Sequence, residues 1–524
     1  MRLINTTTLT LTTAPSPPPP YAILSHTWSP DPAAEITLAQ FTNVPHAALA
    51  QTHAASFSKI AETCRLARQR RLDWAWVDTC CIDKESSAEL SEAINSMWGW
   101  YRGAAVCFVV LEDWEGGAEY RMDADARAGF RRCRWFTRGW TLQELIAPGE
   151  VEFYDRTWAL RGDRVSLGPL VSDITGIPMA ALSGRAEAET QSVAERMSWA
   201  AARVTTRAED GAYCLLGLFG VGMPLLYGEG GERAFVRLQE EILRESNDMS
   251  LFAWRADEEA AAAQTHWGVL APSAKEFAGS GGIKGWADPM DGNECAVTSK
   301  GLRVTPMPGC GLRAVSGETY VMDLKCHHRR VGMGGLREGV GIKLRQVGCD
   351  VYVRVNAHKL FKTPPRAGQD KMRVFYVGKT VTPLRSLALR ESVRGAVVLS
   401  RALKVLGEEW GFAAATFDPE GHWDGQRSLF LTRGVRHFMC RVRLAREGLG
   451  ATRMALECRV VGDHTFGDAL GAADVEVTLE QPGSASRGGA WKAPPRLVGR
   501  VTLERLDTQP VYFVDVVDES AQRR

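Results

Sequence analysis

The chain has 524 residues, 45% of them hydrophobic and 24% charged, which excludes a disordered or collagen-like polypeptide and exceeds what one hydrophobic core serves. Its 63 basic residues nearly cancel its 62 acidic ones, so no overall field draws it to nucleic acid or anionic lipid. The 12 cysteines include no C-x-x-C pair and form no dense framework, the pattern of reduced thiols in a cytoplasmic compartment.

Leu3 to Thr12, rich in threonine, reads as a strand ending at the proline run Pro15 to Pro20. Met1 to Thr13 lacks a charged stretch followed by an apolar one, so no signal peptide is expected. Tyr21 to Ser25 (YAILS) is a short apolar strand opening into polar His26 and Thr27. Phe57, Ile60, Cys64 and Ala67 then recur at helical spacing, with the basic tail Arg68 to Arg71 suited to a helix C-terminus. Trp74 to Cys81 (WAWVDTCC) reads as a second strand, and Leu90, Ile94, Met97, Trp98 and Tyr101 share a helical face.

Ala104 to Leu111 is the longest uninterrupted apolar run, right for a central parallel strand and far too short to span a membrane. Arg131, Arg132 and Arg134 interleave with Cys133, Trp135 and Phe136, as a solvated face does beside a buried element. A helix is expected from Thr137 to Ile146, stopped by Pro148 and Gly149, and a fourth strand from Val151 to Tyr154. Alternating β and α elements over this stretch predict an open parallel sheet with helices on both faces.

Val193, Met197, Ala200 and Val204, and then Phe235, Leu238 and Ile242, predict a helical cap between Ser192 and about Glu245. Beyond Trp254 come short β-branched runs separated by Gly and Pro: Tyr320 to Leu324, Val351 to Val355, Val374 to Val377, Ala396 to Leu399 and Val511 to Val517. They predict an all-β sandwich or barrel.

Three familiar signatures fail. Gly378, Lys379 and Thr380 spell GKT, but the glycine a phosphate loop needs five positions earlier is Arg373. Gly332, Gly334 and Gly339 miss the dinucleotide spacing. Cys326, His327 and His328 are adjacent and have no second ligand pair at zinc spacing, so no metal is expected.

Open α/β sheets place their sites at the carboxyl ends of their strands. That rule singles out His26 and Trp28 after the first strand, Asp78 and Asp83 at the second, Glu112 and Asp113 after the third, and Arg138, Gln143 and Glu144 on the following helix. Trp140 and Glu144 are one helical turn apart, so an indole and a carboxylate would share a face, an arrangement able to bind a ribose and stabilise an oxocarbenium ion. The competing reading has Glu144 paired with Arg138 and Trp140 in the core.

YAILSHTW (Tyr21 to Trp28), WAWVDTCCIDK (Trp74 to Lys84) and RGWTLQELIAP (Arg138 to Pro148) resemble, in order, the three hallmark blocks of the fungal heterokaryon-incompatibility (HET) domain. RAEDGAYCLLGLFGVGMPLLYGEG (Arg207 to Gly230), RLQEEIL (Arg237 to Leu243) and SLFAW (Ser250 to Trp254) resemble the stretch that commonly follows it. Lys84 and Gly139 depart from the family's commoner form. The resemblance implies a flavodoxin- or TIR-like α/β core over 1–165 with a helical extension over 166–255, while the β-branched runs, which resemble no known family, predict a β-rich C-terminal domain over 256–524.

It also implies a cytoplasmic effector of programmed cell death in non-self recognition. HET domains resemble TIR domains, many of which cleave NAD with a glutamate in a W-x-x-x-E arrangement, and Trp140 to Glu144 (WTLQE) matches it. On this reading Glu144 is the catalytic residue of an NAD glycohydrolase. The strand-end argument, rather than the resemblance, makes His26, Trp28, Asp78, Arg138 and Trp140 the substrate lining, and NAD is consumed rather than held as a cofactor. The alternative is a non-catalytic adaptor that self-associates or docks an unknown protein partner, and a retained scaffold without either activity stays open.

Overall fold

The computed structural model describes residues 1–382 except 117–122, 184–187, 286–292, 307–310, 317–318, 329–338, 349 and 364–373, and beyond 382 it describes 396–399, 403, 412–418, 423–424, 429–431, 437–446, 453–461, 497–506 and 509–518. Gly332, Gly334 and Arg373 lie outside the described residues.

In chain order the N-terminal region is β1 (Arg2–Asn5), β2 (Leu11–Thr13), β3 (Tyr21–Ser25), α1 (Leu38–Asn43), α2 (His46–Thr52), α3 (Ala54–Gln69), β4 (Trp74–Trp76), α4 (Asp78–Cys81), α5 (Ser87–Gly103), β5 (Val106–Leu111), α6 (Ala124–Arg131), α7 (Thr141–Ile146), β6 (Val151–Asp155) and β7 (Leu160–Asp163). Seven strands form one sheet in the order β2-β1-β4-β3-β5-β6-β7. The pairings among β4, β3, β5 and β6 are parallel, while the flanking hairpin β1–β2 and the strand β7 pair antiparallel. The winding therefore starts at β3, steps outward to β4 and returns to the other side at β5, leaving a switch point between β3 and β5.

Strand β3 occupies the residues expected of it and is buried throughout, as is β5. Helix α3 turns Ile60, Cys64 and Ala67 inward, and α5 buries Ile94, Met97, Trp98 and Tyr101. Arg131, Arg132 and Arg134 are exposed while Cys133, Trp135 and Phe136 are buried between them.

Several elements differ from expectation. Leu3 to Thr12 is not one strand: the chain folds back between β1 and β2, with Leu9 at a φ of 58° in the turn. The strand expected over Trp74 to Cys81 ends at Trp76, and Asp78 opens α4, whose first turn favours a carboxylate. The helix expected from Thr137 begins only at Thr141, after a 3-10 turn over Arg134–Thr137, because the Thr141 hydroxyl bonds back to the carbonyls of Trp135 and Arg138. The helix over Val193–Ser198 stops short of Val204, which instead bridges to Arg138.

After the sheet come the helices Gly168–Thr175, Met179–Ser183, Val193–Ser198, Asp210–Tyr213, Leu216–Phe219 and Gly231–Glu245, the last burying Phe235, Leu238 and Ile242 as predicted. The C-terminal region is β-rich, with described strands in groups of ten, five and three. It is not wholly antiparallel: Val351–Val355 runs parallel to Phe375–Val377, and Ala396–Val398 parallel to Gln509–Asp518.

The extension and the first C-terminal strands are packed together. The buried Arg354 guanidinium donates to the carbonyls of Phe252 (3.1 Å) and Trp254 (2.6 Å) and stacks 3.9 Å from the Trp254 ring. Ser192 donates to the Ile283 carbonyl, and the Gln239 side chain pairs both ways with the backbone of Ala271. Residue 255 is thus flanked by buried contacts reaching well past it.

Gly217, in the short helix Leu216–Phe219, lies so close to Trp98 of α5 that a Cβ there would collide with the indole and its Cβ. Gly217→Ala should therefore destabilise the chain by ~1–3 kcal/mol through overpacking, measured by denaturant unfolding. An unchanged midpoint would mean that the extension does not rest on α5 at this point.

Candidate active site

The carboxyl ends of β3, β4 and β5 converge on a polar cluster. His26 Nδ1 lies 3.9 Å from Asp78 Oδ1, and the Trp28 indole donates to Asp78 Oδ2 at 2.8 Å. Lys84 holds its ammonium 3.6 Å from the centre of the Trp28 ring, which is exposed at the mouth. Burial pulls the Lys84 pKa down, against the attraction of Asp78.

Deeper in, Lys59 of α3 is buried and makes ion pairs with Glu35 (2.9 Å) and Glu112 (2.8 Å), and donates to the Thr27 carbonyl. Glu35 also accepts from the Ser29 amide and the Ser56 hydroxyl, so its charge is shared among several donors. Arg134 reaches the Thr27 hydroxyl at 3.3 Å, and its backbone amide donates to Asp113.

Glu144 projects from α7 toward the end of β3 and is 7% exposed. The Trp135 indole donates to Ser25 Oγ at 2.8 Å, and Ser25 in turn donates to Glu144 Oε2 at 2.5 Å. With its acceptor side occupied by the indole, the Ser25 hydroxyl is aimed at the acid. Burial pushes the Glu144 pKa up to about 8, and the negative charge of Asp78 adds to that, while hydrogen bonds from Ser25 and Tyr101 and the nearby Arg203 oppose it.

His26 is pulled the other way: burial lowers its pKa and Asp78 only partly restores it, so the ring is neutral at pH 7. Its Nε2 is buried without a partner among the described residues, as are Asp78 Oδ1 and Gln143 Nε2. Buried polar atoms left unpaired are costly, and a ligand's polar groups would complete these three.

Glu144, Asp78, His26 and Trp28 are thus gathered at one end of the sheet. Trp140 and Arg138 are not. Trp140 precedes α7 rather than sitting in its regular turns, and its indole donates to Asp210 at 3.3 Å, seventy positions along the chain. Arg138 donates to Thr206 and makes no ion pair with Glu144 among the described residues. Both face the extension, so the crevice expected to hold Trp140 beside Glu144 does not include that indole. Asp83 is drawn into the turn before α5, where its amide donates to Glu89.

Ser25, Glu35, Lys59, Lys84 and Arg134 are site residues that strand-end reasoning passed over. Lys59 carried a signal, a lone cation one position from the buried Ile60 in an otherwise apolar stripe, which in a folded helix demands a carboxylate. Ser25 carried a weaker one as the only polar residue of an apolar strand.

The described cysteine side chains are free, no cluster of described residues has the make-up of a metal site, and no described helix is long and apolar enough to cross a membrane. Residues 21–124 match the family model of the heterokaryon incompatibility protein (HET), and residues 233–278 match a domain of unknown function (DUF8212). The chain is 48% identical over 230 residues to the vegetative incompatibility protein HET-E-1 of Podospora anserina. That match covers 43% of this chain and 16% of the relative. No solved structure matches. Of the cluster, His26, Trp28, Glu35, Lys59, Asp78, Lys84 and Glu112 fall inside the matched family segment and Glu144 outside it. Over residues 21–124 the chain is similar to the HET family.

Proposed function

We propose that the chain acts in vegetative incompatibility as a cytoplasmic effector of cell death, and that its strand-end cleft hydrolyses the bond between nicotinamide and ribose in NAD or a related nucleotide. The name of the Podospora relative supports the role in vegetative incompatibility. One observation carries the second: a buried acid, Glu144, is held by Ser25 at the end of β3, beside the switch point where open α/β sheets bind ligands. The strand order β4-β3-β5-β6 supports a flavodoxin- or TIR-like core, and TIR-type sites that complete themselves between subunits make self-association part of the reading.

The chemistry follows from the protonation states. At neutral pH Glu144 keeps its proton and His26 is uncharged, and the negative charge of Asp78 acts to keep the acid protonated. The nicotinamide ring of NAD is cationic, and its arrival would favour the Glu144 carboxylate, so binding releases a proton. The carboxylate then faces the positive charge that develops on the ribose as neutral nicotinamide leaves with the bond's electron pair. Water adds to the ribose carbon and gives up a proton, leaving ADP-ribose. The exposed Trp28 ring is the wall on which a base or ribose would lie, and the unpartnered Nε2 of His26 meets a sugar hydroxyl. Arg138 and Trp140 serve by fixing the start of α7 rather than by touching substrate.

The adaptor reading is favoured by the slight exposure of Glu144 and by the aromatic Trp28 at the surface, a combination suited to docking a partner or a second copy. Nicotinamide release by the purified full chain separates the two. Turnover should climb as the free protein is taken through pH 8, and Glu144→Gln should lower it at least a hundredfold. Full turnover by that variant removes Glu144 from the chemistry, whereas cell death still caused by an inactive Glu144→Gln protein establishes the adaptor.

A stability measurement tests the protonated acid without any activity. Its pKa is raised from 4.5 to about 8 on folding, so its contribution is fully present below pH 4.5 and fades as pH rises toward 8. Relative to the native chain, Glu144→Gln should gain stability across that window by up to ~1.4 kcal/mol per pH unit, read from denaturant midpoints. A difference that does not change with pH would mean that Glu144 is ionised in the folded protein.

A further inference from the structure

The polar cluster at the strand ends holds the cations Lys59, Arg134 and Lys84, and they are not equally engaged. Lys59 is taken up by Glu35 and Glu112, and Arg134 faces Asp113 at 3.9 Å while its Nη2 reaches Thr27. Lys84 alone of the three has no hydrogen bond and no ion pair among the described residues, and its ammonium rests 3.6 Å from the centre of the Trp28 ring.

The backbone at Lys84 is fixed, but its charge is not. The Asp83 carboxylate accepts from the amides of Glu85 and Ser86, and the Asp83 amide donates to Glu89, so the turn before α5 is tied on both sides of the lysine. The side chain is half-buried, and a cation–π contact at a partly open place is weak beside a charge-assisted hydrogen bond to phosphate. The ring beneath it is anchored by its own edge: the indole donates to Asp78 at 2.8 Å, while Trp28 stays 36% exposed. A half-buried ammonium without an oxygen partner therefore stands over an aromatic surface that a ligand can reach.

We infer that Lys84 is the phosphate-reading residue of the strand-end cleft: it leaves the Trp28 face when a ring stacks there and meets the 5′-phosphate of the same ligand. The inference rests on the reading of that cleft as a nucleotide site, and it makes the substrate class a phosphorylated nucleotide rather than a nucleoside. Stacking and phosphate capture are coupled, because the face an incoming ring needs is the one the ammonium vacates. A free anion fares differently. Asp78, Glu35, Glu112 and Asp113 outnumber the cations of the cluster, so a phosphate with no ring to stack meets more repulsion than attraction. A nucleoside keeps the stacking but leaves the ammonium without its oxygen.

The test measures binding by calorimetric titration to the full chain carrying Glu144→Gln, so that turnover does not consume the ligand. The ligands are nicotinamide mononucleotide and nicotinamide riboside, which differ by one phosphate. The mononucleotide should bind about tenfold more tightly, with a preference that shrinks as salt rises. Lys84→Met, which keeps an unbranched apolar stem and removes the charge, should abolish that preference and leave the riboside bound as before. Lys84→Arg should keep it. Inorganic phosphate should not displace the mononucleotide. A Lys84→Met chain that retains the preference, an equal loss of both ligands in that variant, or displacement by inorganic phosphate at equal concentration overturns the proposal. Absence of saturable binding by either ligand removes the nucleotide reading of the cleft and the proposal with it. A phosphate preference that depends on Lys84, beside a native chain that releases no nicotinamide, removes the hydrolysis alone and upholds the role of Lys84.

Discussion

A parallel strand covered on both faces has no room for polar side chains along its length, so the polar groups of such a sheet gather where the strands stop. Every residue of β3 and of β5 is buried, and the rule holds to the last position. Ser25 is the terminal residue of β3, and its hydroxyl, excluded from water, must find both a donor and an acceptor. It takes the Trp135 indole and Glu144. The acid in turn is drawn into a place too dry to ionise it at neutral pH. The buried Lys59, with Glu35 and Glu112, obeys the same constraint with charges, since a cation under the strand ends persists only if carboxylates surround it.

Helix α7 has six residues, too few to stand without tertiary support. Its start is fixed from outside by Arg203 on the carbonyl of Arg138 and on Thr141, by the Gly139 amide on the Val204 carbonyl, and by Asp210 on the Trp140 indole. The placement of Glu144 thus depends on residues about sixty positions downstream. The segment around Arg207 to Gly230 is then part of the machinery that aims the acid, and Tyr227, which donates to Asp210, extends that support.

Local pattern was a reliable guide where the signal was local. YAILS became β3 without adjustment, and the inward faces of α3 and α5 were legible from spacing because burial acts residue by residue. Pattern failed where a distant partner competed. The apolar look of WAWVDTCC concealed a helix start at Asp78, and the periodicity through Val204 gave way to a backbone bridge with Arg138. Trp140 and Glu144 have the spacing of one helical turn, yet the helix begins after the tryptophan and Asp210 claims its indole.

The amino-acid sequence alone determined the alternation of strand and helix, the strand ends at which His26, Trp28 and Asp78 stand, and the kinship carried by the three blocks, because each is written in neighbouring residues. Only the tertiary structure decided the protonation of Glu144, the neutrality of His26, the ion pairs of Lys59 and the exclusion of Trp140 from the polar cluster. Those depend on desolvation and on partners brought from far along the chain, and neither quantity exists until the chain is folded.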